Sequence, residues 1–172
     1  LRLIAAGGQA EIVKAKLART IGVSENSVEA YLRLASTMRL LVLLPPWTRS
    51  PRGRIARRPK VALNDTGLSA HLTGFTSAAA GTVGGREYFG ALAQQCVALE
   101  LRKQSAWTQQ PFQLYHFRDL DGLEVDIVAE LPDGQLLAIE VKSTRTVTEQ
   151  SWSALERFRN RYPDRTTTGV VL

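Results

Sequence analysis

Asp126 lies within the apolar run LEVDIVAEL, and Glu140 and Lys142 lie within QLLAIEVKS, two stretches that otherwise read as buried strands. Charged groups are excluded from a buried sheet unless one face is solvated or the charges gather into a site. The turn between the runs decides which residues meet. Leu131-Pro132-Asp133-Gly134 suits a type I turn with Pro at its second position, and Gly134 then takes the left-handed region as a bulge, closing a three-residue hairpin loop. With Leu131 opposite Gln135, counting outward sets Asp126 opposite Glu140 and Glu124 opposite Lys142, and directly opposed residues share a face. The four charges converge there, while Val125, Ile127, Ile139 and Val141 face the other way.

Two carboxylates set against each other need a counter-charge, which Lys142 or a bound cation can supply. Asp126 and Glu140 are therefore candidate ligands of a hard divalent ion such as Mg2+, with waters completing the octahedron. Lys142 is placed to orient or activate an attacking water. The same pairing also suits a solvated charged sheet face. DLDGLEVDIVAE fails as a calcium loop, because Glu124 stands where such a loop needs Gly and Leu123 replaces an oxygen ligand. No G-x-x-x-x-G-K-[ST] phosphate loop occurs in the sequence, so ATP binding is expected only from a domain upstream.

The elements that must position these residues read as follows. EYFGALAQQCVALELRK is a helix with Phe89, Leu92, Cys96 and Leu99 or Val97 inward. QLYHFRD, LEVDIVAEL and QLLAIEVKS are strands, VTEQSWSALERFRNRYPD is a helix with Trp152, Leu155 and Phe158 inward, and TTTGVVL is a strand. The order is αβββαβ. Ahead of them, KAKLARTIGVSENSVEAYLRLASTM gives two helices at a tight turn. Leu17, Ala18 and Ile21 form the first stripe, Gly22 is the stop and Ser24 the cap, and Val28, Tyr31, Leu32 and Ala35 turn one face of the second helix into a core. LLVLLPPW and KVALND then read as strands flanking the basic stretch TRSPRGRIARRP. That is helix-turn-helix spacing followed by a basic wing, with Arg52, Arg54, Arg57, Arg58 and Lys60 the candidate nucleic-acid contacts. HLTGFTSAAAGTVGG reads as a linker, dividing a first domain over 1–75 from a second over 84–172.

Composition sets the limits. The 172 residues are 44% hydrophobic with a formal net charge of +6, enough apolar material for a core. Residues 1–60 hold 12 Lys and Arg against 3 Asp and Glu, so the basic excess sits in the first half, which points to DNA or another polyanion, or to an acidic protein partner. Glu25 and Glu29 on the second helix argue against base reading. No apolar run approaches the roughly 20 residues of a membrane span, so no membrane partner is expected. A single cysteine, Cys96, fits a reducing, cytoplasmic setting and reads as a core residue. The start at Leu1, within an apolar helical pattern, and the end at GVVL suggest a piece of a longer protein.

Asp126 on one strand and Glu140-Val141-Lys142 on the next, within αβββαβ, resemble the PD-(D/E)xK nuclease-like superfamily. LARTIGVSENSVEAYLRLASTMRLL, PKVALNDTGLSAHLTG, GALAQQCVALELRK and LEVDIVAELPDGQLLAIEVKS together resemble the C-terminal region, a domain of unknown function, of a bacterial and archaeal family of predicted AAA+ superfamily ATPases. The resemblance implies a winged helix-turn-helix followed by a restriction-endonuclease-like domain, downstream of an ATPase module. It carries Asp126, Glu140 and Lys142 over as the catalytic pattern and Mg2+ as cofactor. One position departs: where the family's helix reads Gly-x-Leu-x-Glu, this chain has Gly90-Ala91-Leu92-Ala93-Gln94. A neutral amide there removes a negative charge. Three roles are open on this reading: recognition of DNA or a partner with a degenerate site, Mg2+-dependent DNA cleavage, and protein interaction that regulates the ATPase.

Overall fold

The computed structural model describes residues 1–144 and 146–172, with the backbone alone described at positions 51, 55, 56 and 150. The first half runs α1 (Arg2–Gly7), β1 (Ala10–Glu11), α2 (Lys14–Ile21), α3 (Glu25–Thr37), β2 (Leu41–Leu44), α4 (Pro51–Ala56), β3 (Lys60–Leu63) and α5 (Thr66–Thr73). A 3-10 turn at Ala79–Gly81 leads into the second half: α6 (Val83–Gln104), β4 (Gln113–Arg118), β5 (Glu124–Glu130), β6 (Leu136–Glu140), α7 (Glu149–Arg161) and β7 (Thr167–Val171). The chain is a mixed α/β protein with two sheets, ordered β1-β3-β2 and β4-β5-β6-β7. The second half keeps the αβββαβ order.

Local chemistry explains the first half's turns. Gly22 ends α2 in the left-handed region at φ 70°, and the Ser24 hydroxyl caps α3 by accepting the Ser27 N–H. Val28 is buried and Leu32 and Ala35 pack on the first core, with Ile4, Leu41, Val61 and Leu63. Tyr31, expected inward, is exposed, and so is Ile21. The apolar arc of these helices is wider than the core that covers it.

The second core lies between the larger sheet and α7, where Phe117, Val128, Leu136, Ala138, Leu155 and Phe158 meet. On the opposite face Ile127, Ile139 and Val141 pack with Ala98 of α6. Val125, expected on the face of Ile127, belongs instead with Phe117 and Phe158. The cause is a bulge: β4 advances from Tyr115 to Phe117 while β5 runs from Val128 back to Val125, and the extra residue flips the alternation.

Three features knit the halves together. Past β2 the chain runs along the edge of β4, where the Trp47 N–H donates to the His116 carbonyl at 2.6 Å and the His116 N–H to the Pro45 carbonyl at 2.9 Å. Trp47 is fully buried among Phe117, Phe158 and Tyr162. Helix α6 begins at Val83, inside the stretch expected as linker, and touches both halves. Its Tyr88 hydroxyl donates to the Ala5 carbonyl, and the Gln95 amide donates to the Leu63 carbonyl at 2.7 Å. Gln95 is therefore the buried residue and Cys96 the exposed one, a correction to the expected helix phase, as is the exposure of Phe89. On α7, Trp152 is also exposed, while Leu155 and Phe158 are buried as expected.

The hairpin has the anticipated form. The Gly134 N–H donates to the Leu131 carbonyl and the Leu131 N–H to the Gln135 carbonyl, each at 2.9 Å. Gly134 has φ 84°, and a Cβ there would collide with the Arg165 guanidinium. Gly134→Val, forcing a β-branched residue into positive φ, is expected to cost on the order of 1–3 kcal/mol. Urea unfolding measures it, and an unchanged midpoint would remove the turn from the account of register.

Candidate functional site

The ladder between β5 and β6 pairs Ile127 with Ile139, Val128 with Ala138 and Glu130 with Leu136, the register counted from the turn. Continued one step, it brings Asp126 to Glu140 at the strand ends. Here Asp126 Oδ2 accepts the Val141 N–H at 2.9 Å, and Lys142 Nζ donates to Glu140 Oε1 at 2.6 Å. Asp126, Glu140 and Lys142 thus share one cluster. The expected pairing of Glu124 with Lys142 does not form. Past Ile127 the ladder to β6 stops, and Glu124, opposite Arg118 on β4, binds Lys60 at 2.7 Å.

Lys60 is the residue that sequence reasoning placed elsewhere. Expected as a wing cation, it is the first residue of β3, its side chain is only 5% exposed, and its charge enters the cluster of the other half. No local signal marks such a role, since 64 residues separate Lys60 from Glu124.

The rest of the basic stretch is divided between two directions. Arg54 Nη1 donates to the Tyr115 hydroxyl at 2.6 Å and Nη2 to Glu130 at 2.7 Å, both partly buried. Arg49 pairs with Asp164, and Arg57, itself exposed, donates to the Arg118 carbonyl. Arg52 and Arg58 are exposed, with no ion-pair partner among the described residues. The connection between β2 and β3 is therefore a basic segment with a short helix, and much of it is docked on the second sheet. A concave surface of about 670 Å³ remains between this segment and α3, with Lys14, Arg33, Arg57 and Arg58 around Glu29. Lys14 and Glu29 pair at 2.7 Å.

Electrostatics follow from burial. Burial pushes the Asp126 carboxyl above its usual range, against the Val141 N–H and the Lys60 and Lys142 charges. Burial, then the Asp126 charge, pushes Glu140 up. Glu124 moves down, because the Lys60 hydrogen bond and charge outweigh its burial. His116, 1% exposed, is lowered to about 4 by burial and then by Lys60. Its Nε2 lies 3.2 Å from the Arg58 carbonyl and its Nδ1 has no partner among the described residues, the pattern of a neutral ring protonated on Nε2.

A divalent ion fits these residues poorly. Such an ion wants about six oxygens, and among the described residues no group of three or more His, Cys, Asp or Glu side chains is placed to hold one. Asp126 Oδ2 and Glu140 Oε1 already accept hydrogen bonds. The helix position that would bring a third acid is Gln94, whose buried Nε2, a donor, has no partner among the described residues.

The fold and cluster define a mixed α/β chain whose halves share a charged junction. A family model described as Domain of unknown function (DUF4143) matches residues 89–172, and another, Domain of unknown function (DUF8612), matches residues 1–79. The first is known as a C-terminal domain of AAA-ATPase-associated proteins. Two mycobacterial proteins, Uncharacterized protein Mb2031c of Mycobacterium bovis and Uncharacterized protein Rv2008c of Mycobacterium tuberculosis, are each 29% identical over 135 residues, 77% of this chain and 28% of theirs. The chain thus spans less than a third of the length of these curated relatives. No solved structure matches it. Among the described residues no helix is long and apolar enough to cross a membrane.

His116 generates a pH prediction. Its folded pKa of about 4 lies below the ordinary 6.5, so the unfolded chain takes up a proton first and stability falls as pH drops from about 6.5 to about 4. The full loss is about 3 kcal/mol. Asp126 and Glu140, shifted upward, act in the opposite sense, so the measurement is the difference between the wild type and His116→Gln in urea unfolding at pH 7 and pH 4.5. Wild type should lose more on acidification, and equal losses would mean that His116 is not held neutral.

Proposed function

We propose that the chain is the C-terminal recognition part of an AAA+ superfamily ATPase, with a winged helix that engages DNA and a PD-(D/E)xK nuclease-like domain whose site does not cut. The observation behind this reading is the division of the basic segment. Arg54 and Lys60 hold the halves together, Arg52 is exposed, and Arg57 and Arg58 line a concave surface with Lys14 and Arg33. A concave surface edged by that many cations attracts phosphate. The first half, in which α1, β1, α2 and α3 precede β2 and β3 with the short α4 between those strands, supports the winged-helix reading, and αβββαβ with Asp126, Glu140 and Lys142 clustered supports the nuclease-like one. The sequence resemblance and the domain match over 89–172 support a C-terminal place beside an ATPase module.

Arg52, Arg57 and Arg58, all changed to Ala, test the interface without touching Arg54 or Lys60. Duplex affinity should fall and the slope of log affinity against log salt should flatten by about 2–3, near 0.9 for each phosphate no longer neutralised. An unchanged slope would remove the segment from the interface. Sequence preference should be weak, because Glu25 and Glu29 face the same side and offer no donors to base edges.

A second reading, Mg2+-dependent cleavage, is favoured by one observation: Glu140 Oε2 is buried without a partner among the described residues, where a cation could satisfy it. The two readings separate by calorimetry. Two acids and a lysine carry a net charge of about −1, against about −2 with a third acid, so Gln94→Glu should tighten Mg2+ or Mn2+ binding over the wild type. Cleavage by the unmodified chain, abolished by Asp126→Ala or Lys142→Ala, would replace the first reading with the second.

A further inference from the structure

The concave surface between α3 and the basic segment has a floor and a rim of opposite character. Its floor is apolar, made by Leu32 of α3, Leu41 and Leu43 of β2, Val61 of β3 and Ile12. Leu43 is 45% exposed although it lies inside a strand, so the protein's own side chains do not close this floor. The rim is charged, with Lys14, Arg33, Arg57 and Arg58 around the one carboxylate of Glu29, which Lys14 already pairs. The backbone adds a third feature. β2 is an edge strand of its sheet, and the Leu40 carbonyl accepts the Asn64 N–H on the β3 side. In the alternation of an antiparallel ladder, Val42 and Leu44 then bond toward β3, and the peptide groups of Leu41 and Leu43 point away from it. Those groups have no hydrogen-bond partner among the described residues.

We infer that this surface is a docking site for an acidic peptide segment of a partner protein, in which a few apolar residues are flanked by carboxylates and lie extended along β2. The rim sets the sign of the partner, because four cations around one paired carboxylate favour an anion. The floor sets which anion. A duplex presents phosphates and sugars, which satisfy the rim and leave Leu43 in water. A leucine or valine side chain laid on Leu43 and Leu41 removes apolar area from water on both partners. The free edge sets the kind of chain, since the unpaired N–H and C=O groups of an edge strand are met in register by another polypeptide backbone. The inference goes beyond the DNA reading and shares only the cations with it. A segment bound here would compete with a duplex for Arg57 and Arg58.

Fluorescence anisotropy on the 172-residue chain tests this with a labelled peptide of Leu-Val-Leu flanked on each side by Asp and Glu. The charge-matched control has Ser-Thr-Ser in place of Leu-Val-Leu. The apolar peptide should bind at least about tenfold more tightly than the control, the scale set by burial of one leucine side chain. Leu43→Glu should weaken its binding by about tenfold or more, and so should Arg33→Glu. Arg33 is exposed on α3, so the second variant decides the matter where the first shifts the urea midpoint. Equal affinity for the two peptides would overturn the inference in favour of charge alone, and so would binding indifferent to both variants. No binding of the apolar peptide beside tight binding of a duplex would overturn it and leave the DNA reading standing. The apolar peptide bound as expected, with no duplex bound, would uphold it and remove the DNA reading.

Discussion

Lys60 is a lysine with its ammonium almost out of water, and much of the architecture follows from keeping it paired. A buried charge left alone costs several kcal/mol, so β3 has to begin where Glu124, at the start of β5, can reach it. That one ion pair ties the small sheet of the first half to the large sheet of the second. The route of the chain between β2 and β3 follows from it. The backbone leaves β2 at Leu44, runs beside His116, buries Trp47, and returns through α4 to deliver Lys60. His116 sits beneath this crossing, and Lys60 adds to the burial that keeps its ring neutral.

A shared core and a shared charge cluster mean that the two sequence families matched over 1–79 and 89–172 describe parts that pack as one body here. Trp47 belongs to the first stretch by sequence and to the second by packing. Helix α6 works in the opposite direction: it belongs to the second half, yet Tyr88 and Gln95 satisfy backbone carbonyls of the first. Each half thus supplies side chains that the other uses, Trp47 in the second core and Tyr88 and Gln95 on backbone carbonyls of the first.

What the sequence made legible was local. Pro132-Asp133-Gly134 specifies a register, and Gly22 and Ser24 specify two helices at a tight turn, because turn chemistry acts over a few residues. The Asp126, Glu140 and Lys142 cluster followed from that register. What was not legible was non-local. Nothing near Lys60 distinguishes it from the arginines around it, and the Trp47 after two prolines reads as the edge of a wing rather than as a core residue of another sheet. The misplacement of Phe89 and Cys96 on α6, whose Leu92 and Leu99 are buried as expected, has the same origin. A helix buried on two sides has apolar residues nearly all round, so its periodicity is weak, and a polar residue such as Gln95 can lie inward when the other half supplies its partners.

Several charges of this chain satisfy one another at the junction, and that limits what those groups can offer to anything outside it. Arg54 and Lys60 cannot turn to an external phosphate without stranding Glu130 and Glu124, which are themselves partly buried. Lys142 is held by Glu140 in the same way. Two of the concave surfaces left open flank α3. One side carries Glu29 and Arg33 toward the basic segment, and the other carries Leu34 and Met38 toward an apolar groove. A single amphipathic helix thus separates a basic surface from an apolar one. Leu32 and Ala35 pack that helix on the first core and Val28 is buried, so the two surfaces share one anchored element.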